Sequence, residues 1–166
     1  MPNRTLILKH DEVQRKVVRI AHQLHEANFE EDGIVLVGIA PRGITLAKRL
    51  RTTLEQISEV PVDLVEMKLD KDKPLEKPIS MTADLETLRD KVVVLVDDVL
   101  MSGRTMMHAA GYLIQVPLKK LTTVVLVDRR HRTYPIRADI VGMTLSTTIQ
   151  EHISVELGKK DSVHLV

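Results

Sequence analysis

Cysteine is absent from this 166-residue chain, which rules out disulfides, thiolate nucleophiles and cysteine-built zinc sites. Tryptophan is absent too, and aromatic residues amount to only 2%. A core must therefore come from Val, Ile, Leu, Met and Ala. That composition suits buried parallel strands better than an aromatic platform for stacking RNA bases. Neither sign of charge dominates: 24 Lys and Arg meet 23 Asp and Glu, a net charge of +1. Any nucleic-acid surface has to be a local patch. No stretch approaches the roughly 18 apolar residues of a membrane span, and the opening segment MPNRTLILKHDEVQRK lacks a signal peptide's apolar run. A cytoplasmic protein is expected, with no membrane partner.

What is present reads as one domain over residues 1–166. Hydrophobic residues make up 43% and charged residues 28%, ordinary for a globular protein. Val13, Val17, Ile20, Ala21 and Leu24 recur at helical spacing, so residues 11–28 are read as an amphipathic helix with Asp11 as its N-cap. The apolar run from Ile34 to Ile39 reads as a buried strand, 43–57 as a helix and Val60 to Met67 as a strand. Residues 68–90 carry two prolines and dense charge without periodicity, which predicts a long loop or flap. Val92 to Val96 is the strongest strand, followed by a helix from Arg104 to about Gln115 and a strand from Thr122 to Val127. A basic turn spans 128–138, with short strands expected near 139–143, 152–157 and 162–166. Strands alternating with helices imply βαβ units and a doubly wound, mostly parallel α/β sheet.

The segment from Val93 to Thr105 carries the chemistry. Apolar residues lead into two adjacent acids, Asp97 and Asp98, then through Met101, Ser102, Gly103 and Arg104 to Thr105 at the start of a helix. Open α/β sheets bind ligands at the carboxyl ends of their strands. A glycine lets the backbone approach a phosphate, hydroxyls add donors, and a helix N-terminus favours an anion. The acids carry the wrong charge for a phosphate but suit a sugar diol or a bound Mg²⁺. A phosphate at one end and a diol at the other describe a ribose phosphate. An acid pair can also simply end a strand and cap a helix.

The full run VVLVDDVLMSGRT at 93–105 resembles the signature of type I phosphoribosyltransferases, which bind 5-phosphoribosyl 1-diphosphate (PRPP). Together with RIAHQL at 19–24, LVGIAPRGITLAKRL at 36–50 and VLVDRRHRTYPIRADIVG at 125–142, the chain is similar to the PyrR family along nearly its whole length. Members of that family regulate pyrimidine operons and have uracil phosphoribosyltransferase activity. The resemblance implies a type I phosphoribosyltransferase fold with a small base-covering hood and a flexible loop. It further implies PRPP and uracil or UMP as ligands, Mg²⁺ as cofactor, a homodimer or higher homo-oligomer, and an mRNA leader as partner. Asp97 and Asp98 are expected on the ribose hydroxyls, Asp98 being a candidate general base by proximity. Met101 to Thr105 are expected around the 5-phosphate, and Ala40, Pro41, Arg42 and Gly43 where diphosphate sits. Lys71 stands in the flap where the family carries Arg. Asp139 to Gly142 matches the family's hood, with Ile140 and Val141 as base contacts and an aliphatic residue in place of the usual aromatic. Arg129, His131, Arg132 and Arg137 are expected either to border the base site or to join Arg19 and His22 in an RNA-binding face. His10, His25, His108, His152 and His164 show no metal-ligand spacing. An alternative is a regulator with little catalysis, or transfer to another nucleobase.

Overall fold

A computed structural model describes residues 3–148 and 151–166. Among the described residues, nine strands and three α-helices follow in the order β1 (Thr5–Leu8), α1 (His10–Asn28), β2 (Ile34–Ile39), α2 (Arg42–Ile57), β3 (Val62–Lys68), β4 (Ser80–Met81), β5 (Val92–Leu100), α3 (Arg104–Leu113), β6 (Lys120–Asp128), β7 (Ile140–Thr144), β8 (Ile153–Glu156) and β9 (Ser162–Leu165). The main sheet has the order β4-β3-β2-β5-β6-β7. Its strands are parallel apart from β4, which runs antiparallel to β3. A separate antiparallel sheet, β1-β9-β8, forms the hood.

Every residue of β2 is buried, as expected of a central parallel strand covered on both faces. The alternation of buried side chains divides the core in two. Leu36, Val94, Val96 and Val124 pack with Val17, Ile20 and Leu24 of α1 and Leu46 and Leu50 of α2. On the other face Val35, Val37, Val93, Leu95 and Val125 pack with Met106, Ala109 and Leu113 of α3. From β2 the chain goes outward to β3, then returns past β2 to β5 and on to β6 and β7. The reversal of winding thus falls between β2 and β5, the place where such sheets open a crevice for ligands.

Several expectations are corrected. The chain opens with β1 before the first helix, and α1 is capped at Lys9, whose N–H donates to the Glu12 carboxylate; Asp11 lies inside the helix. β5 does not stop at Val96 but continues to Leu100, so the acid pair belongs to a strand. The segment 68–90 is not all loop. Its second half is pinned by β4 against β3, by Thr82 N–H on Glu66 O (3.0 Å) and by a single-turn 3₁₀ helix at Leu85–Leu88. Asp139 to Gly142 does not enter the hood: Ile140 begins β7 at the edge of the main sheet.

Candidate active site

The cleft sits at the carboxyl ends of β2 and β5. A cavity of about 280 Å³ there is lined by Arg42, Lys71, Asp97, Asp98, Met101 to Thr105, Met106 and Ile153, among others. Asp97 and Asp98 are only 3% and 6% exposed. Two carboxylates this deep need compensation. Asp98 N–H donates to Asp97 Oδ1 at 2.9 Å, and the Lys71 ammonium lies 3.3 Å from the same oxygen. Burial and the neighbouring Asp98 charge push the Asp97 carboxyl above its usual range, while Lys71 opposes them. A pair held in this state has an unmet demand for cations or hydroxyl donors.

Close packing brings the two turns together. A Cβ on Gly43 would lie 2.6 Å from Val96 O and 3.2 Å from Asp97 Oδ1, so only glycine lets α2 begin directly against the acid pair. The Ala40–Pro41 peptide is cis, and Ala40 N–H donates to Met67 O at 2.8 Å. Gly103 caps α3 with φ of 88°, a left-handed conformation that favours glycine. The N-termini of α2 and α3 therefore both open on the cavity, each with first-turn N–H groups lacking intrahelical acceptors. From the flap, Lys71 reaches Asp97 while its carbonyl accepts from Arg104 Nη2 at 2.9 Å.

The structure thus brings together Arg42, Lys71, Asp97, Asp98 and Met101 to Thr105, with Ala40, Pro41 and Gly43 in the adjoining turn. It does not bring Ile140 to the cavity: that side chain is 8% exposed and packs in the core on the α1 and α2 face. Val141 offers its carbonyl to Arg19 at 3.1 Å. The basic residues serve different ends. Arg129 is 6% exposed and donates to Thr147 Oγ1 and Thr148 O, so it is a buried brace rather than part of a surface. Arg132 is likewise engaged, with Met101 O, Ile136 O and Asp128. Arg19, His22 and Arg137 are exposed, and His131 is half-buried. Sequence reasoning missed Ile153, which reaches the cavity from β8; nothing local marks it, because the hood forms by pairing distant segments.

These carboxylates fit a magnesium ion carried by a substrate. Among the described residues no three or more His, Asp or Glu side chains gather as a metal cage. Mg²⁺ instead takes one or two carboxylates and completes its shell with water and phosphate oxygens, and a buried acid pair facing a cavity provides that donor set.

A model of the phosphoribosyl transferase domain matches residues 3–160. The bifunctional protein PyrR of Alkaliphilus metalliredigens is 39% identical over 175 aligned residues, covering 99% of this chain and 96% of its own. That of Bacillus subtilis is 38% identical over 178, covering 100% and 97%. Among solved structures, the hypoxanthine phosphoribosyltransferase of Trypanosoma cruzi superposes with a TM-score of 0.74 at 17% identity, covering 90% of this chain and 84% of its own, a likeness of fold. A cleft at the winding reversal, a buried acid pair beside two helix N-termini, and these full-length matches lead to one conclusion: the chain belongs to the phosphoribosyltransferase family and, within it, to the PyrR family.

Proposed function

We propose that the chain transfers the 5-phosphoribosyl group of PRPP to uracil, giving UMP and diphosphate. The observation that carries this reading is the buried Asp97–Asp98 pair facing a cavity whose far wall is the glycine-kinked turn into α3. In this assignment Asp97 and Asp98 hold the ribose hydroxyls, and residues 101–105 hold the 5-phosphate. Arg42, with the Ala40–Gly43 turn, takes the diphosphate as a charged fork suited to phosphate oxygens. Asp97 and Asp98 would hold a Mg²⁺ that arrives with PRPP, and the ion would supply neutralising charge for the diphosphate leaving group. N1 of uracil forms a bond to C1′ as the C1′–O bond to diphosphate breaks, and the N1 proton passes to the carboxylate of Asp98, the candidate base. Positive charge develops on the ring, so the side chains act by positioning and electrostatics without a covalent nucleophile. Lys71 and the flap close over the diphosphate and exclude water.

A second role, binding of a pyrimidine mRNA leader with UMP as effector, is favoured by the exposure of His22 and Arg137 and of Arg19, although the Arg19 guanidinium also donates to Val141 O and Gly142 O. Arg129 and Arg132, spent on internal contacts, fall outside that surface. Neutralised phosphates make such binding steeply salt-dependent. A homodimer and a cytoplasmic location complete the proposal on the family resemblance; among the described residues no helix is long and apolar enough to cross a membrane.

The test is incubation with PRPP, Mg²⁺ and a panel of nucleobases, reading diphosphate release. Release with uracil is expected. Release with purines alone overturns the base, and no release with any base leaves the regulator reading. A gel shift with leader RNA at rising salt then examines that role.

A further inference from the structure

The basic turn after β6 holds the phosphate-side loop by its backbone. Three consecutive carbonyl oxygens of that loop are occupied by the turn. Leu100 O accepts from Arg129 N–H at 2.9 Å, and Met101 O accepts from Arg132 Nη1 at 3.0 Å. Ser102 O accepts from the N–H groups of Thr133 and Tyr134 at 2.9 and 3.0 Å. In a planar trans peptide the N–H points opposite its carbonyl. Fixing the carbonyls of Leu100, Met101 and Ser102 therefore fixes the direction of the N–H groups of Met101, Ser102 and Gly103, residues that line the cavity. Packing completes the clamp, since a Cβ on Gly103 would meet Ile136 at 2.7 Å.

Arg132 is the side chain at the centre of this arrangement. Its guanidinium donates to Met101 O, to Ile136 O at 2.9 Å and to Asp128 Oδ1 at 2.7 Å. Only a planar fork reaches three acceptors in different directions; a lysine ammonium carries the charge without that geometry. Asp128 ends β6, so the fork links the phosphate loop to the rigid sheet through the turn.

We propose that Arg132 is a positioning residue for the 5-phosphate of the substrate, acting through the Met101 carbonyl to aim the loop's N–H groups at the anion. The proposal rests on the assignment of residues 101–105 to the phosphate. Arg132 does not touch the ligand; it sets where the donors point. The surface charge of the turn, which suggested RNA, is in this account partly structural.

The test is calorimetric titration of wild type, Arg132→Lys and Arg132→Gln with ribose 5-phosphate, and separately with inorganic pyrophosphate as a probe of the Arg42 side. A thermal melt of each variant accompanies it. Both variants are expected to bind ribose 5-phosphate about tenfold or more weakly, the scale of one lost charged hydrogen bond, with pyrophosphate affinity unchanged. In turnover, KM for PRPP rises while KM for the base stays. Should Arg132→Gln fail to fold, Arg132→Lys carries the comparison. Wild-type affinity in folded variants overturns the proposal, as does full rescue by Arg132→Lys, which would make charge alone the cause, or an equal loss for both ligands. Wild type that binds no ribose 5-phosphate overturns instead the phosphate assignment beneath it.

Discussion

Asp98 and Gly43 show how far single positions decide this site. Asp98 is buried beside Asp97, and in the proposed function the ribose hydroxyls lie against it. Asp98→Asn keeps the volume but removes a charged acceptor, a loss of about 1.5–3 kcal/mol, so kcat/KM for PRPP is expected to fall by about 10- to 150-fold. Steady-state kinetics checks this, and unchanged kinetics would remove Asp98 from the site. Gly43 answers to packing instead. Gly43→Ala forces a methyl against Val96 O and the Asp97 backbone, and overpacking of this kind costs about 1–3 kcal/mol. Urea unfolding should show that loss together with weaker PRPP binding, because the strain is relieved by moving α2 away from the acid pair.

Among the elements, those that follow from local pattern were legible and those that depend on distant pairing were not. The apolar runs of β2 and β5 and the periodicity of α1 and α2 point directly to their states. β1 has four residues and exists because it pairs with β9 at the other end of the chain. Ile153 enters the cavity through the same hood. Ile140 matched a family landmark, yet strand register places it beside Val124, facing the core. The acid pair was found, but its place within β5 was not, since Asp is a poor strand former and tertiary context overrides that preference. The flap divides at Ile79: residues 80–88 are tied to the sheet, whereas Lys71 and Arg104 supply the contacts of the first half to the cleft. Amide hydrogen exchange should accordingly be faster over 69–79 than over 80–88, and PRPP with Mg²⁺ should slow the first segment. Uniform exchange along 68–90, indifferent to PRPP, would contradict this division.

At the scale of the molecule, Asp161 joins the hood to the main body. It is 1% exposed and lies in the β8–β9 turn, where it forms a salt bridge to Arg49 of α2, accepts from Gln14 of α1 at 2.7 Å and accepts from Gly158 N–H at 3.0 Å. Burial pushes its carboxyl up, but Arg49, the Gly158 N–H and Gln14 more than offset this and hold it below the usual range. A depressed folded pKa contributes stability that is fully present above the unfolded value of about 3.9 and lost as pH falls through the folded value. Asp161→Asn should therefore unfold at lower urea than wild type at pH 7, with the difference shrinking below about pH 4. A difference independent of pH would show that the carboxylate charge is not what binds the hood.

The ribose phosphate proposed for the cleft between β2 and β5 is tested most directly by diffraction from crystals soaked in ribose 5-phosphate. The phosphate is expected on the backbone N–H groups of 102–105 and the sugar hydroxyls on Asp97 and Asp98, with Lys71 displaced from Asp97. An empty cleft at saturating ligand, or a ribose phosphate bound elsewhere, would contradict it.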